Sequence, residues 1–186
     1  VVSSVAKIAR RLELTEPKVP MDIEASRLEA RRRWEEGDQD GALAVLESLS
    51  ATRPDDLQAK LDFAARLGEA GRHNDAEGLY ENIQSIQPLN FPALMGLARI
   101  ARLRGQHDRA LAFFSAARDA DPANLWTLIE CAVEQRALGR AGEARALYET
   151  VLERDPVYAA AHSGLGTLAR AAGDRDAALR HFSAAR

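Results

Sequence analysis

Arg102, Arg136 and Arg170 stand 34 residues apart. A guanidinium is planar and permanently charged, so a row of them is suited to hold carboxylates through paired N–H groups. Leu61, Met95 and Ile129 keep the same interval and form an apolar counterpart. The other reactive residue types give a weaker pattern. Cys131 is the single cysteine and cannot close an internal disulfide. It takes a place filled elsewhere by Phe63, Leu97 and Leu165, which points to a buried thiol rather than a nucleophile. His73, His107, His162 and His181 fall on repeat-equivalent or helix-surface positions with no ligand-type pairing to one another. Gly164 and Gly166 lie inside a predicted helix and not in a phosphate-cradling turn. The carboxylates are spread over solvent-facing positions. No catalytic residue, metal site or cofactor is expected in this chain.

The elements that position these residues follow from the same period. Proline recurs at Pro20, Pro54, Pro88, Pro122 and Pro156, and glycine at Gly37, Gly71, Gly105, Gly139 and Gly173. Alanine follows each glycine, at Ala42, Ala76, Ala110, Ala144 and Ala178, and a large residue comes next at Leu46, Tyr80, Phe114, Tyr148 and Phe182. Such self-similarity marks a repeat array. Each unit reads as two short helices. From Phe91, the spacing of Leu94, Leu97, Ala98 and Ala101 is helical, and Gly105 supplies the backbone freedom that a helix end needs. Leu111, Phe113, Phe114 and Ala117 give the second helix its buried stripe until Pro122, with Asp108 expected to cap its start. Asp22, Asp56, Asn90 and Asn124 each follow a repeat proline and are the expected N-caps of the first helices. Small residues at Ala30, Ala64, Ala98, Ala132 and Gly166 let the paired helices approach closely. The expected fold is all-α, a right-handed superhelical solenoid of antiparallel helix pairs.

The small, glycine, alanine, aromatic and proline positions together resemble the tetratricopeptide repeat (TPR) family, over Asp22 to Arg186. The family's tryptophan early in the first helix is replaced in every unit, by Ser26, Lys60, Leu94, Leu128 and His162. The expected organisation is an N-terminal capping helix or decayed half-repeat over 1–21. About five repeats follow over 23–56, 57–90, 91–124, 125–158 and 159–186, the last truncated. The resemblance implies a concave groove lined by the first helices. It carries over to Arg27, Arg31, Trp34 and Glu35, to Leu61, Ala65 and Glu69, and to Met95, Arg99, Arg102 and Leu103. The fourth unit adds Trp126, Ile129, Val133 and Arg136, and the fifth Ser163, Thr167 and Arg170. In that groove the apolar strip and the arginine ladder, with rungs on the order of 10 Å apart, suit an acidic, amphipathic protein or peptide segment. Trp126 is the expected anchor. The competing reading pairs these arginines with neighbouring carboxylates such as Glu69 or Glu130. The lysine–asparagine clamp of chaperone-tail binders and the asparagine ladder of the glycosyltransferase branch are both missing from the matching positions.

Composition bounds the function. With 46% hydrophobic and 28% charged residues and a net charge of −3, the chain is not expected to be a dedicated nucleic-acid binder. No run is long and apolar enough to span a membrane. The chain lacks an initial Met and stops within a second helix at Arg186, so a piece of a longer protein is expected. The compartment is left open, with the cytoplasm favoured, and the alanine and arginine richness resembles a bacterial coding style. The expected function is a protein-interaction scaffold that binds a partner in the groove or assembles through its repeat ends. At the C-terminal end, Leu168, Ala178, Leu179 and Phe182 are the residues expected to face a further unit or another copy. The alternative is a regulatory or substrate-presenting arm of a larger enzyme such as a glycosyltransferase.

Overall fold

The computed structural model describes residues 22–186, and among them ten α-helices follow one another in antiparallel pairs. The expected N-terminal cap over 1–21 lies outside the described residues. The chain divides into two compact units, Val1–Ala59 and Lys60–Arg186. The first contains α1 (Ile23–Glu35) and α2 (Gln39–Thr52), which pack on each other; Ala30 of α1 and Ala42, Leu46 and Leu49 of α2 are buried. Most of α3 (Leu57–Glu69) belongs to the second unit. There it is followed by α4 (His73–Ile86), α5 (Phe91–Leu103), α6 (His107–Ala120), α7 (Leu125–Ala137), α8 (Ala141–Arg154), α9 (Ala159–Ala171) and α10 (Arg175–Ala184).

Capping chemistry sets the helix boundaries. Asp22 accepts from the Glu24 and Ala25 amides, Asp56 from Ala59, Asn90 from Ala93 and Asn124 from Trp126, so all four expected caps are in place. Asp108 does not cap α6. The helix is entered through Gln106, which places Asp108 inside the first turn, where it pairs with Arg140 at 3.1 Å. Each first helix closes on the expected glycine. Gly105 has φ +71° and the following Gln106 amide reaches back to the Ala101 carbonyl at 2.9 Å, a Schellman closure. The prolines start the return turns: Pro88 sits between Gln87 and Asn90, whose carbonyl and amide meet at 3.0 Å.

From α4 onward each helix packs on its successor, and α7 also meets α9. One core cluster joins Leu128, Ala132, Tyr148, Val151 and Leu165, and another joins Ala98, Ala110, Phe114 and Cys131. Close approach depends on small residues where rings cross. A Cβ on Gly96 would lie 2.3 Å from the Tyr80 ring, and one on Gly164 would lie 2.2 Å from the Tyr148 ring. At the C-terminal end Leu168 and Ala178 are buried and Phe182 is half-buried, while Leu179 is exposed.

Candidate functional site

Of the residues expected to line the groove, Arg27, Arg31, Trp34 and Glu35 lie on α1, where Arg31 pairs with Glu35 at 2.9 Å; those of the second unit lie on α3, α5, α7 and α9, and the fold sorts them into buried and exposed sets. Leu61 and Ile129 are buried, and Met95 and Val133 are half-buried against the core. Packing between helices covers most of the apolar strip. The large apolar side chains left exposed on these helices are Leu103 and Trp126, the latter at 48%.

The arginines divide in the same way. Arg102 turns inward: its guanidinium pairs with both Glu130 and Glu134 of α7 and lies 4.7 Å from the centroid of the Phe114 ring. Glu134 is fully buried and also receives His107 Nδ1 at 2.8 Å from the start of α6. Burial works against the charge on Arg102, but the hydrogen bonds and negative charge of the two glutamates outweigh it and raise its pKa. This cluster ties α5, α6 and α7 together. Its signal in the sequence is a glutamate, Glu134, at the place where the flanking repeats hold Ile100 and Leu168. Arg99 and Arg136 are exposed and have no ion-pair partner among the described residues. Arg170 is also exposed, 5.8 Å from the centroid of the Phe182 ring.

Between α3, α4 and α5 lies a cavity of about 130 Å³, with Tyr80 and Ile100 on its walls and Glu69, His73, Arg99 and Leu103 around it. Burial pushes the Tyr80 phenol up; the Arg99 charge lowers it and the Glu69 charge raises it, which places both charges near the ring.

Two of the histidines expected to have no ligand-type pairing nevertheless meet across α9 and α10. Their antiparallel packing brings His162 Nδ1 to 3.2 Å from His181 Nδ1, and His162 Nε2 donates to the Pro156 carbonyl at 2.9 Å. Among the described residues no group of three or more metal-ligating side chains converges. Cys131 is buried, and burial pushes its thiol up.

Models of the tetratricopeptide repeat match residues 67–130 and 132–186 of the sequence. The chain belongs to the tetratricopeptide repeat family. Among solved structures, MamA shares the fold at 18% identity and a TM-score of 0.74, over 84% of this chain and 91% of that one. MamA 41-end from Desulfovibrio magneticus RS-1 gives a TM-score of 0.77 at 18% identity, over 88% and 92% of the two chains. A tetratricopeptide repeat protein from Parabacteroides merdae ATCC 43184 gives 0.78 at 17% identity, over 88% of this chain and 65% of its own. No curated protein matches the sequence. TPR arrays as a class mediate protein–protein interactions, and none of the described helices is long and apolar enough to cross a membrane.

Proposed function

We propose that this TPR protein is a scaffold whose first-helix face recruits a partner through an acidic segment. One observation carries the reading: on α5, α7 and α9 the exposed Arg99, Arg136 and Arg170 stand without a carboxylate partner among the described residues, whereas Arg102 and Arg66 are already matched. A matched arginine has little to offer a ligand. An unmatched one retains its fork for a carboxylate. Trp126, half exposed, supplies a large rigid contact with few rotamers to freeze. Exposed ion pairs contribute about 0 to 1 kcal/mol each, so three rungs acting together account for roughly a tenfold change in affinity.

The test is selection of peptides from a displayed random library on the full chain. Selected peptides should be rich in Asp and Glu and release with added salt. They should bind the Arg99→Ala/Arg136→Ala/Arg170→Ala variant about tenfold more weakly. Peptides without acidic enrichment, or equal binding to both proteins, would refute the reading.

A further inference from the structure

The Arg102 cluster and the cavity beside Tyr80 are the same place in two successive repeats. Stepping back 34 residues in the sequence, Arg102 becomes Gly68, Phe114 becomes Tyr80, Glu130 becomes Gly96, Glu134 becomes Ile100 and His107 becomes His73. In one repeat the chain fills the space with its own guanidinium and two carboxylates. In the other, those three side chains are two glycines and an isoleucine, and a cavity of about 130 Å³ remains, with Gly68 and Gly96 on its lining. A Cβ built on Gly68 meets nothing within 4 Å.

The histidine is retained without its acceptor. His107 Nδ1 is met by Glu134 at 2.8 Å, but the equivalent His73 Nδ1 is buried and has no hydrogen-bond partner among the described residues. A buried polar atom left unmatched is costly, so a group that reaches it gains more than an exposed contact would. The charges at the rim select the sign of that group. Glu69 is already engaged by Arg66 at 2.6 Å, while Arg99 has no carboxylate partner among the described residues. An incoming arginine would lack the two glutamates that hold Arg102 and would face Arg99. An incoming carboxylate finds His73 and Arg99 instead. The volume suits one side chain and is well under the roughly 300 to 1,000 Å³ of small-molecule pockets.

We infer that this cavity is a specificity pocket for a single glutamate side chain of the partner segment, its methylenes against the Tyr80 ring and its carboxylate between His73 and Arg99. The inference rests on the first-helix face being the partner surface and adds which residue the partner must present and where. Gly68 defines the pocket by withholding the arginine that the three following repeats carry at Arg102, Arg136 and Arg170.

The experiment titrates the full chain with Ac-Ala-Glu-Ala-NH₂, and separately with the Gln and Arg versions of that peptide, following the His73 imidazole and the Gly68 and Gly96 amides by NMR. The Glu peptide should shift these signals saturably and the Gln peptide should not. Both His73→Phe and Gly68→Arg, each confirmed helical by circular dichroism, should weaken the Glu peptide by tenfold or more. No saturable shift with Glu, equal shifts with Gln, or preferential binding of the Arg peptide would overturn the pocket. The library selection separates the two readings. Acidic peptides that bind wild type and Gly68→Arg equally, yet depend on the three arginines, would remove the pocket and leave the face. Failure to select acidic peptides, with the NMR response intact, would remove the face reading and leave the carboxylate site.

Discussion

Replacing Arg102 with alanine should be far more damaging than the same change at its repeat equivalent Arg136. The substitution strands Glu134, whose side chain is 1% exposed, and Glu130, at 9%, as buried carboxylates on one helix with His107 the remaining cationic-type partner. Breaking a buried ion pair from one side costs about 3 to 5 kcal/mol, because the surviving charge is left in a poor solvent. Arg102 itself retains 30% exposure, so water reaches the cluster from one side and the lower end, about 3 kcal/mol, is expected. The loss of the guanidinium from the Phe114 face adds to this by roughly 0.5 to 1 kcal/mol. Arg136 is exposed and has no ion-pair partner among the described residues, and its removal should stay within about 0.5 kcal/mol. Urea unfolding followed by far-ultraviolet circular dichroism measures both. A second substitution identifies the cause. Glu134→Ile installs the residue that the preceding repeat uses at that place, Ile100, and should recover at least half of the loss when combined with Arg102→Ala. Equal stability of the Arg102→Ala and Arg136→Ala variants would refute the argument, as would failure of Glu134→Ile to rescue.

Three further outcomes follow from the packing and the titrating groups. Gly96→Ala should destabilise by about 1 to 3 kcal/mol, because its Cβ would sit 2.3 Å from the Tyr80 ring, while Gly68→Ala, with nothing within 4 Å, should be neutral or stabilising by up to about 1 kcal/mol; thermal unfolding compares them. His181 is held below its ordinary value by burial, then by the charges of His162, Arg180 and Arg145, with Glu149 opposing. Its contribution to stability is therefore complete above the unfolded value of about 6.5 and is lost as pH falls through the folded value. The unfolding midpoint should drop on acidification from about pH 7.5 to about pH 5, and drop less in His181→Gln; equal slopes would contradict this. The Cys131 thiol, buried and with its pKa raised, should react slowly with a disulfide reagent in the folded protein and fully in denaturant, and rapid stoichiometric labelling of the folded chain would be the contrary result.

The period made the helix pairs legible because the same residue types meet the same backbone requirement in each repeat. Gly105 has the positive φ that a Schellman closure needs, and Asn90 and Asn124 carry the side-chain acceptors that open α5 and α7. Asp108 resembles a cap in composition, but α6 begins before it, and one or two residues decide whether an acid caps a helix or lies within its first turn. The candidate site was less legible because a repeat position does not fix exposure. Leu61 and Ile129 share a repeat position with Met95, yet both are buried while Met95 is only partly so. Arg102 shares one with Arg136 and Arg170, but only Arg102 has a glutamate pair within reach. Glu130 is a partner that the competing reading of the sequence names, whereas the buried Glu134, which fixes the inward turn of Arg102, belongs to the next repeat and follows no pattern within one. The His162–His181 pair depends in the same way on a contact across two helices.

The most direct test of the account is isothermal titration of an acidic peptide from the library selection into wild type and into the Arg99→Ala/Arg136→Ala/Arg170→Ala variant at low and high salt. The account predicts that the variant binds about tenfold more weakly at low salt and that much of the difference disappears at high salt, as screening removes the wild-type advantage. Equal affinities at low salt, or a difference that salt does not change, would contradict recognition of an acidic partner through these arginines.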